Sequence, residues 1–221
     1  MLKKALPLVI VAVVAAACSS APVEPAGHEN PEGAVVAWFE AVDGDSAIDA
    51  SGAIHGESLA LILGIENGLD AGVVAGYLNE GVPLDVQAAY WGSFADGFVE
   101  FASRPLSTLT VGESTRFTSE GVEFASVPIA GGAGLGSVVI TRMQADGSWE
   151  VDLVASLGDG FAQLLASGYD ELPDDEDGDR VRLAYVTTVV PSLWAAMTDG
   201  SFGDDFTRTA LAIIDSVDGR P

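Results

Sequence analysis

Ser137-Val-Val-Ile-Thr-Arg-Met-Gln-Ala-Asp-Gly-Ser-Trp-Glu-Val-Asp-Leu153 is the stretch whose reading decides the fold. Two runs rich in β-branched and aromatic residues flank Asp146-Gly147, and glycine tolerates the positive φ that a hairpin turn requires. A two-residue loop would set Trp149, Val151 and Leu153 opposite Gln144, Arg142 and Ile140. A three-residue loop, Ala145 to Gly147, sets them opposite Met143, Thr141 and Val139, which gathers more apolar side chains on one face. The second register is the expected one, and a slip of one residue would send the whole Trp149 set to the other face. Glu150 and Asp152 then share the opposite side. They are expected on a solvated face, with a carboxylate pair in a pocket as the sharper alternative.

Working upstream, the β texture begins at Leu106, with runs at 107–111, 115–118 and 122–130 and a turn at Glu120-Gly121. Strands at this spacing without intervening helices imply an antiparallel sheet. Gly131 to Gly136 links two of them; it lacks the Lys-Ser/Thr of a phosphate-binding loop and leads into a strand, so it reads as a hairpin connection.

The residues before the sheet are helical. Asn30-Pro31-Glu32 combines an N-cap, a proline in the first turn and an acid at the positive end of the dipole. Val35, Trp38, Phe39 and Val42 follow at i, i+3, i+4 and i+7. Asp45-Ser46 opens a second helix to about Ala53. Glu57-Ser58 opens a third, with Leu59, Ile62, Leu63 and Glu66 at helical spacing and Gly68 as its stop. A fourth short helix falls within 69–79. Residues 83–102, with Asp85 as candidate N-cap, carry Val86, Tyr90, Phe94, Phe98 and Phe101 on one stripe. Trp38, Tyr90, Trp91, Phe94 and Trp149 are the candidate pocket wall, with core packing as the plainer role.

Beyond the hairpin, Asp159 is expected to cap a helix through Ser167. The acidic run 170–179 fails the EF-hand pattern, since alignment of Asp175, Asp177 and Gly178 puts Pro173 at position one and Ala184 at twelve. Residues 180–197 read as a helix with Tyr185, Val189, Leu193 and Met197 in line, kinked or broken by Pro191. A last helix starts at Asp204 or Asp205 and turns Phe206, Ala210, Ile213 and Val217 inward. The fold class expected is α+β: N-terminal helices packed on a curved antiparallel sheet, followed by C-terminal helices.

Composition bounds the rest. The formal charge of the chain is −24; without the leader's Lys3 and Lys4, its only lysines, seven arginines face 33 acidic residues, a net charge of −26. Such a surface repels nucleic acid and anionic lipid head groups. His55 is the only histidine of the folded part and has no cysteine or second histidine near it in sequence. No metal and no cofactor are implied.

Met1-Leu-Lys-Lys followed by the apolar run Ala5 to Ala17 reads as a secretory signal peptide, because a stable span needs roughly 20 apolar residues. Ala15-Ala16-Ala17-Cys18 resembles the lipobox of bacterial lipoproteins, although Ala15 stands where leucine is usual and leaves ordinary cleavage at an Ala-x-Ala site open. Cys18 is the only cysteine and has no disulfide partner. Lipidation of Cys18, with palmitate-type acyl chains, is the expectation, and each buried CH₂ contributes roughly 0.8 kcal/mol to such an anchor. The resulting organisation is a lipoprotein signal peptide (1–17), a lipidated cysteine and flexible tether (18–30, with His28 inert), a domain over 31–168, and an acidic loop with a C-terminal helical pair over 169–221. The location implied is the extracytoplasmic face of the cell membrane.

Several N-terminal helices followed by a curved sheet that ends in Asp146-Gly147-Ser148-Trp149-Glu150-Val151-Asp152 resemble the nuclear-transport-factor-2-like superfamily. The resemblance covers about Pro31 to Leu165; more narrowly, the chain looks like lipoproteins of high-GC bacteria that carry such a domain. It implies a cone-shaped sheet enclosing a cavity for ligand, dimerisation or catalysis, but no catalytic pattern of the family maps here. Three functions follow as expectations. The first is a non-enzymatic module binding a small apolar ligand or an envelope protein. The second is a lyase or isomerase using two of His55, Tyr90 and Asp152 in one cavity. The third is a structural envelope protein whose cone is filled by its own side chains.

Overall fold

The computed structural model describes residues 27–132 and 135–219. The expected signal peptide and Cys18 lie outside the described residues, as do Ala133 and Gly134 of the glycine-rich connection. The architecture is α+β, with helices before and after a curled antiparallel sheet.

Among the described residues five α-helices precede the sheet: α1 (Pro31–Asp43), α2 (Ala47–Gly52), α3 (Ser58–Asn67), α4 (Ala71–Glu80) and α5 (Leu84–Ala102). Asn30 caps α1 as its sequence predicts, accepting from Gly33 N at 2.7 Å. Gly68, at φ 57°, ends α3 in the left-handed conformation. Asp85 is not the cap of α5: Pro83 holds that place, and Asp85 lies in the first turn.

The sheet comprises β1 (Thr110–Val111), β2 (Thr115–Ser119), β3 (Val122–Gly132), β4 (Leu135–Met143) and β5 (Trp149–Val151). Both β1 and β2 pair with β3, and the order then continues to β4 and β5. Met143 stands opposite Trp149 and Thr141 opposite Val151, the register of the three-residue loop. Gly147 takes φ 87° and donates to Gln144 O at 3.0 Å. Leu153, however, is not opposite Val139. The strand stops at Val151, and Leu153 begins the short helix α6 (Leu153–Ser156).

Side chains alternate across the strands, and both faces are covered. Trp149, Val151, Thr141, Ala125 and Val127 turn to one face and are buried; Phe124 and Ile140 turn to the other and are equally buried. Helix α1 contacts β1, β3, β4 and β5. Further helices follow α6: α7 (Asp159–Asp170), α8 (Glu176–Ala184), α9 (Val190–Asp199) and α10 (Asp204–Asp218). One of them, α9, covers the opposite face. Helix α9 packs on β2 and β3, and Thr198 Oγ1 donates to Ser119 Oγ at 3.4 Å. Trp149, Val151 and Leu153 share one core with Trp38, Phe39 and Trp91.

The outer edge of β5 is occupied by two short backbone bridges. His28 exchanges hydrogen bonds with Trp149 at 3.0 and 2.7 Å, and His55 N donates to Val151 O at 2.7 Å. An unpaired edge strand would offer a template for foreign pairing; here it is blunted by the chain itself.

Residues 185–189, between α8 and α9, form a π-helical turn. Pro191 supplies the cause: it lacks an N–H and its ring crowds the carbonyl four residues earlier, so the ladder widens by one residue instead of breaking. Tyr185, Val189 and Leu193 still face inward. Asp175, in the acidic run, caps α8 by accepting from Gly178 N at 2.9 Å, and Asp174 and Asp179 pair with Arg182.

Candidate functional site

The three candidate acid–base residues lie in three different places. His55, brought to the sheet edge by its bridge to Val151, sits among Glu150, Arg142 and Gln144. Its Nε2 is 3.1 Å from Arg142 Nη1, and its Nδ1 is 3.4 Å from Glu150 Oε2 and 3.1 Å from the Gln144 amide nitrogen. A guanidinium only donates, so Nε2 accepts, and Nδ1 carries the proton toward Glu150. Gln144 is compatible with that proton when its amide oxygen, not its nitrogen, faces the ring. Both ring nitrogens are thereby engaged by neighbouring side chains.

Asp152 is wholly buried and serves the fold. It caps α6, accepting from Ala155 N at 2.9 Å, and accepts from Ser192 Oγ of α9 at 2.7 Å. The solvated face expected for Glu150 and Asp152 is thus corrected: Asp152 follows the end of the strand and is enclosed by α6 and α9, and Glu150 is half-buried against His55. The paired-carboxylate alternative fails with it, since the two acids serve different partners.

Tyr90 belongs to a groove between α3, α4 and α5, of about 520 Å³. Burial, and secondarily the Glu66 carboxylate, raise its hydroxyl above the ordinary phenol range. Phe94 lines the same groove. Trp38, Trp91 and Trp149 line neither helical cleft and are 1–4 % exposed core residues. Trp91 Nε1 donates to Ser51 Oγ at 2.8 Å, and Trp38 Nε1 is buried without a partner among the described residues. Of the five expected wall residues, two line a groove.

A second cleft, of about 400 Å³, opens between α3, α4, α7 and α8. Leu61, Ile65, Leu69, Val74, Leu172 and Tyr185 make its walls, and Asp70, Ser167 and Glu171 are the polar residues of its lining. Glycines shape it: a Cβ on Gly64 would come within 2.6 Å of Val74 Cγ2, so only glycine lets α3 and α4 approach this closely. Gly168 faces Tyr185, whose hydroxyl donates to Leu165 O at 2.9 Å and is raised by its burial.

The cleft is braced by Arg180 of α8, which donates to Glu57 Oε1 at 2.6 Å, to Asn79 Oδ1 at 2.8 Å and to Leu78 O at 2.9 Å. One side chain of α8 therefore ties the start of α3 to the end of α4. Sequence reasoning passed over this clamp, because Arg180 and Glu57 are 123 residues apart. It also passed over Glu66 as a site residue, although an acid standing on the apolar stripe of Leu59, Ile62 and Leu63 was a visible signal. Among the described residues no group of three or more His, Cys, Asp or Glu side chains is arranged to hold a metal ion.

Fold and site together define an α+β protein with a filled sheet and clefts between its helices. Comparison with family models, with curated proteins and with solved structures finds no match.

Proposed function

We propose that this chain is an extracytoplasmic lipoprotein, held to the membrane through Cys18, whose folded part is a non-enzymatic module that takes up a small apolar ligand. The observation that carries the binding reading is the cleft among α3, α4, α7 and α8. Its volume of about 400 Å³ and its mainly apolar lining match the size and character of small-molecule sites. The anchor reading is supported by the leader and the single cysteine, and the likeness to the nuclear-transport-factor-2-like superfamily by the helices, the curled sheet and the Trp149 hairpin. In this chain the ligand would bind between helices, because the face of the sheet beneath α1 is packed with Trp149, Val151 and Val127.

The binding reading is tested by titrating the full chain in detergent with the neutral apolar fluorophore N-phenyl-1-naphthylamine. Saturable uptake is expected in the wild type and its loss in Ala71→Trp, which places an indole in the cleft. Equal uptake by the two proteins sinks the reading. For the anchor, cells are labelled with a palmitate precursor; Cys18→Ala should lose the label that the wild type carries.

A further inference from the structure

The groove between α3, α4 and α5 differs in chemistry from the cleft and is a separate site, although Leu69 lines both. Leu63 and Leu69 supply apolar lining. Tyr77 of α4 lines it together with Tyr90 and Phe94 of α5, whose ring centroids are 6.2 Å apart. Glu66 is the one charged residue of this lining, and no cation accompanies it there. Among the described residues no hydrogen bond or ion pair holds its carboxylate. Partial desolvation raises its pKa above the usual 4.5, and the residue is exposed at the rim of the groove.

An exposed carboxylate at the rim of an aromatic-lined groove selects against most ligand classes. An anion meets Glu66 and the acidic surface. A neutral apolar molecule gives the rim carboxylate no partner and strips part of its water, which is unfavourable. Calcium or magnesium needs several oxygen ligands, and the groove offers one carboxylate, two phenols and a few neutral polar groups. An organic ammonium ion satisfies the lining at once: its charge meets the carboxylate, its polarised methyl or methylene groups meet the rings, and its apolar part meets leucine. The strongly negative surface also concentrates cations around the protein.

We propose that this groove binds an organic ammonium ion, with the cation between Glu66 and the rings of Tyr77, Tyr90 and Phe94. This inference stands independently of the apolar ligand proposed for the cleft.

Calorimetric titration of the full chain in detergent with choline and with its neutral isostere 3,3-dimethyl-1-butanol tests it. Choline should bind saturably, and the isostere about tenfold or more weakly, since a tenfold change is about 1.4 kcal/mol and that is within reach of a carboxylate with aromatic partners. Glu66→Gln keeps the shape and should weaken choline by a similar factor. Tyr90→Phe should retain binding and Tyr90→Ala lose it; where Tyr90→Ala does not fold by circular dichroism, Glu66→Gln and the isostere decide. Equal affinity for choline and the isostere, unchanged affinity in Glu66→Gln, or no saturable binding of choline would each overturn the proposal. Choline should leave N-phenyl-1-naphthylamine bound in the cleft, and displacement of the fluorophore would show that the two are not separate sites.

Discussion

The Trp149 hairpin and helix α5 are both rich in aromatic and branched residues, yet the molecule treats them in opposite ways. On the hairpin, Trp149 and Val151 are 1 % and 0 % exposed, and the strand edge is paired on both sides. On α5, which has 19 residues, only Trp91 and Ala102 are buried, while Phe101 is 74 % exposed. A strand of three residues is fixed by neighbours above, below and beside it. Helix α5 leans on α1 and α2 along a narrow line and leaves its Tyr90–Phe94 side to form a groove wall. Apolar periodicity therefore marks a face that is able to pack, and the neighbours decide whether it does.

The largest expected effect is that of Trp149→Ala. Deleting a fully buried indole from a packed interior should cost about 3–5 kcal/mol, read as a lower midpoint in urea unfolding. A loss below about 1 kcal/mol would mean that the hairpin is no better packed than α5. Asp152→Ala comes next. It removes the acceptor of Ala155 N–H and of the Ser192 hydroxyl, for about 1–3 kcal/mol, and Asp152→Asn, which keeps an acceptor oxygen, should lose less. Phe101→Ala should stay within about 0.5 kcal/mol of wild type, as expected for an exposed side chain. A larger loss would place Phe101 in a contact and erase the contrast.

The smallest effect is a gain, at Glu66. Its folded carboxyl holds its proton more tightly than the unfolded one, so its charged form works against folding. The penalty is present at neutral pH and absent well below the usual 4.5. Glu66→Gln should therefore raise the melting temperature slightly at pH 7. That gain should vanish as the pH falls through the carboxylate range. A gain that persists unchanged in acid would show that charge is not its cause.

The loop length of the hairpin was legible because one register groups Trp149 and Val151 with Met143 and Thr141, and the other does not. The stripes of α1 and α10 were legible for the same reason: each has an apolar face with a stop beside it. Helix α3, by contrast, is buried on every side from Ser58 to Gly64, and its expected stripe member Glu66 is exposed. The end of β5 was not legible. Leu153 continues the apolar alternation, and only the enclosure of Asp152 by Ser192, 40 residues away, turns that aspartate from a strand residue into a helix cap. The candidate site was legible in part. Tyr90 and Phe94 were visible as an aromatic cluster, whereas Glu66, Tyr77 and the Arg180 clamp acquire meaning only when α3, α4, α5 and α8 meet.

By itself the sequence determined the local things: which segments coil, where glycine stops them, how the hairpin turns, and that the surface is acidic. These follow from backbone sterics, side-chain period and counted charge, which act between near neighbours. Tertiary structure alone decided that His55 has both ring nitrogens engaged, that Asp152 is buried and that one aromatic helix stays open to solvent. Each of those depends on groups far apart in the chain, and their separation in space is set by how the layers pack, not by their order.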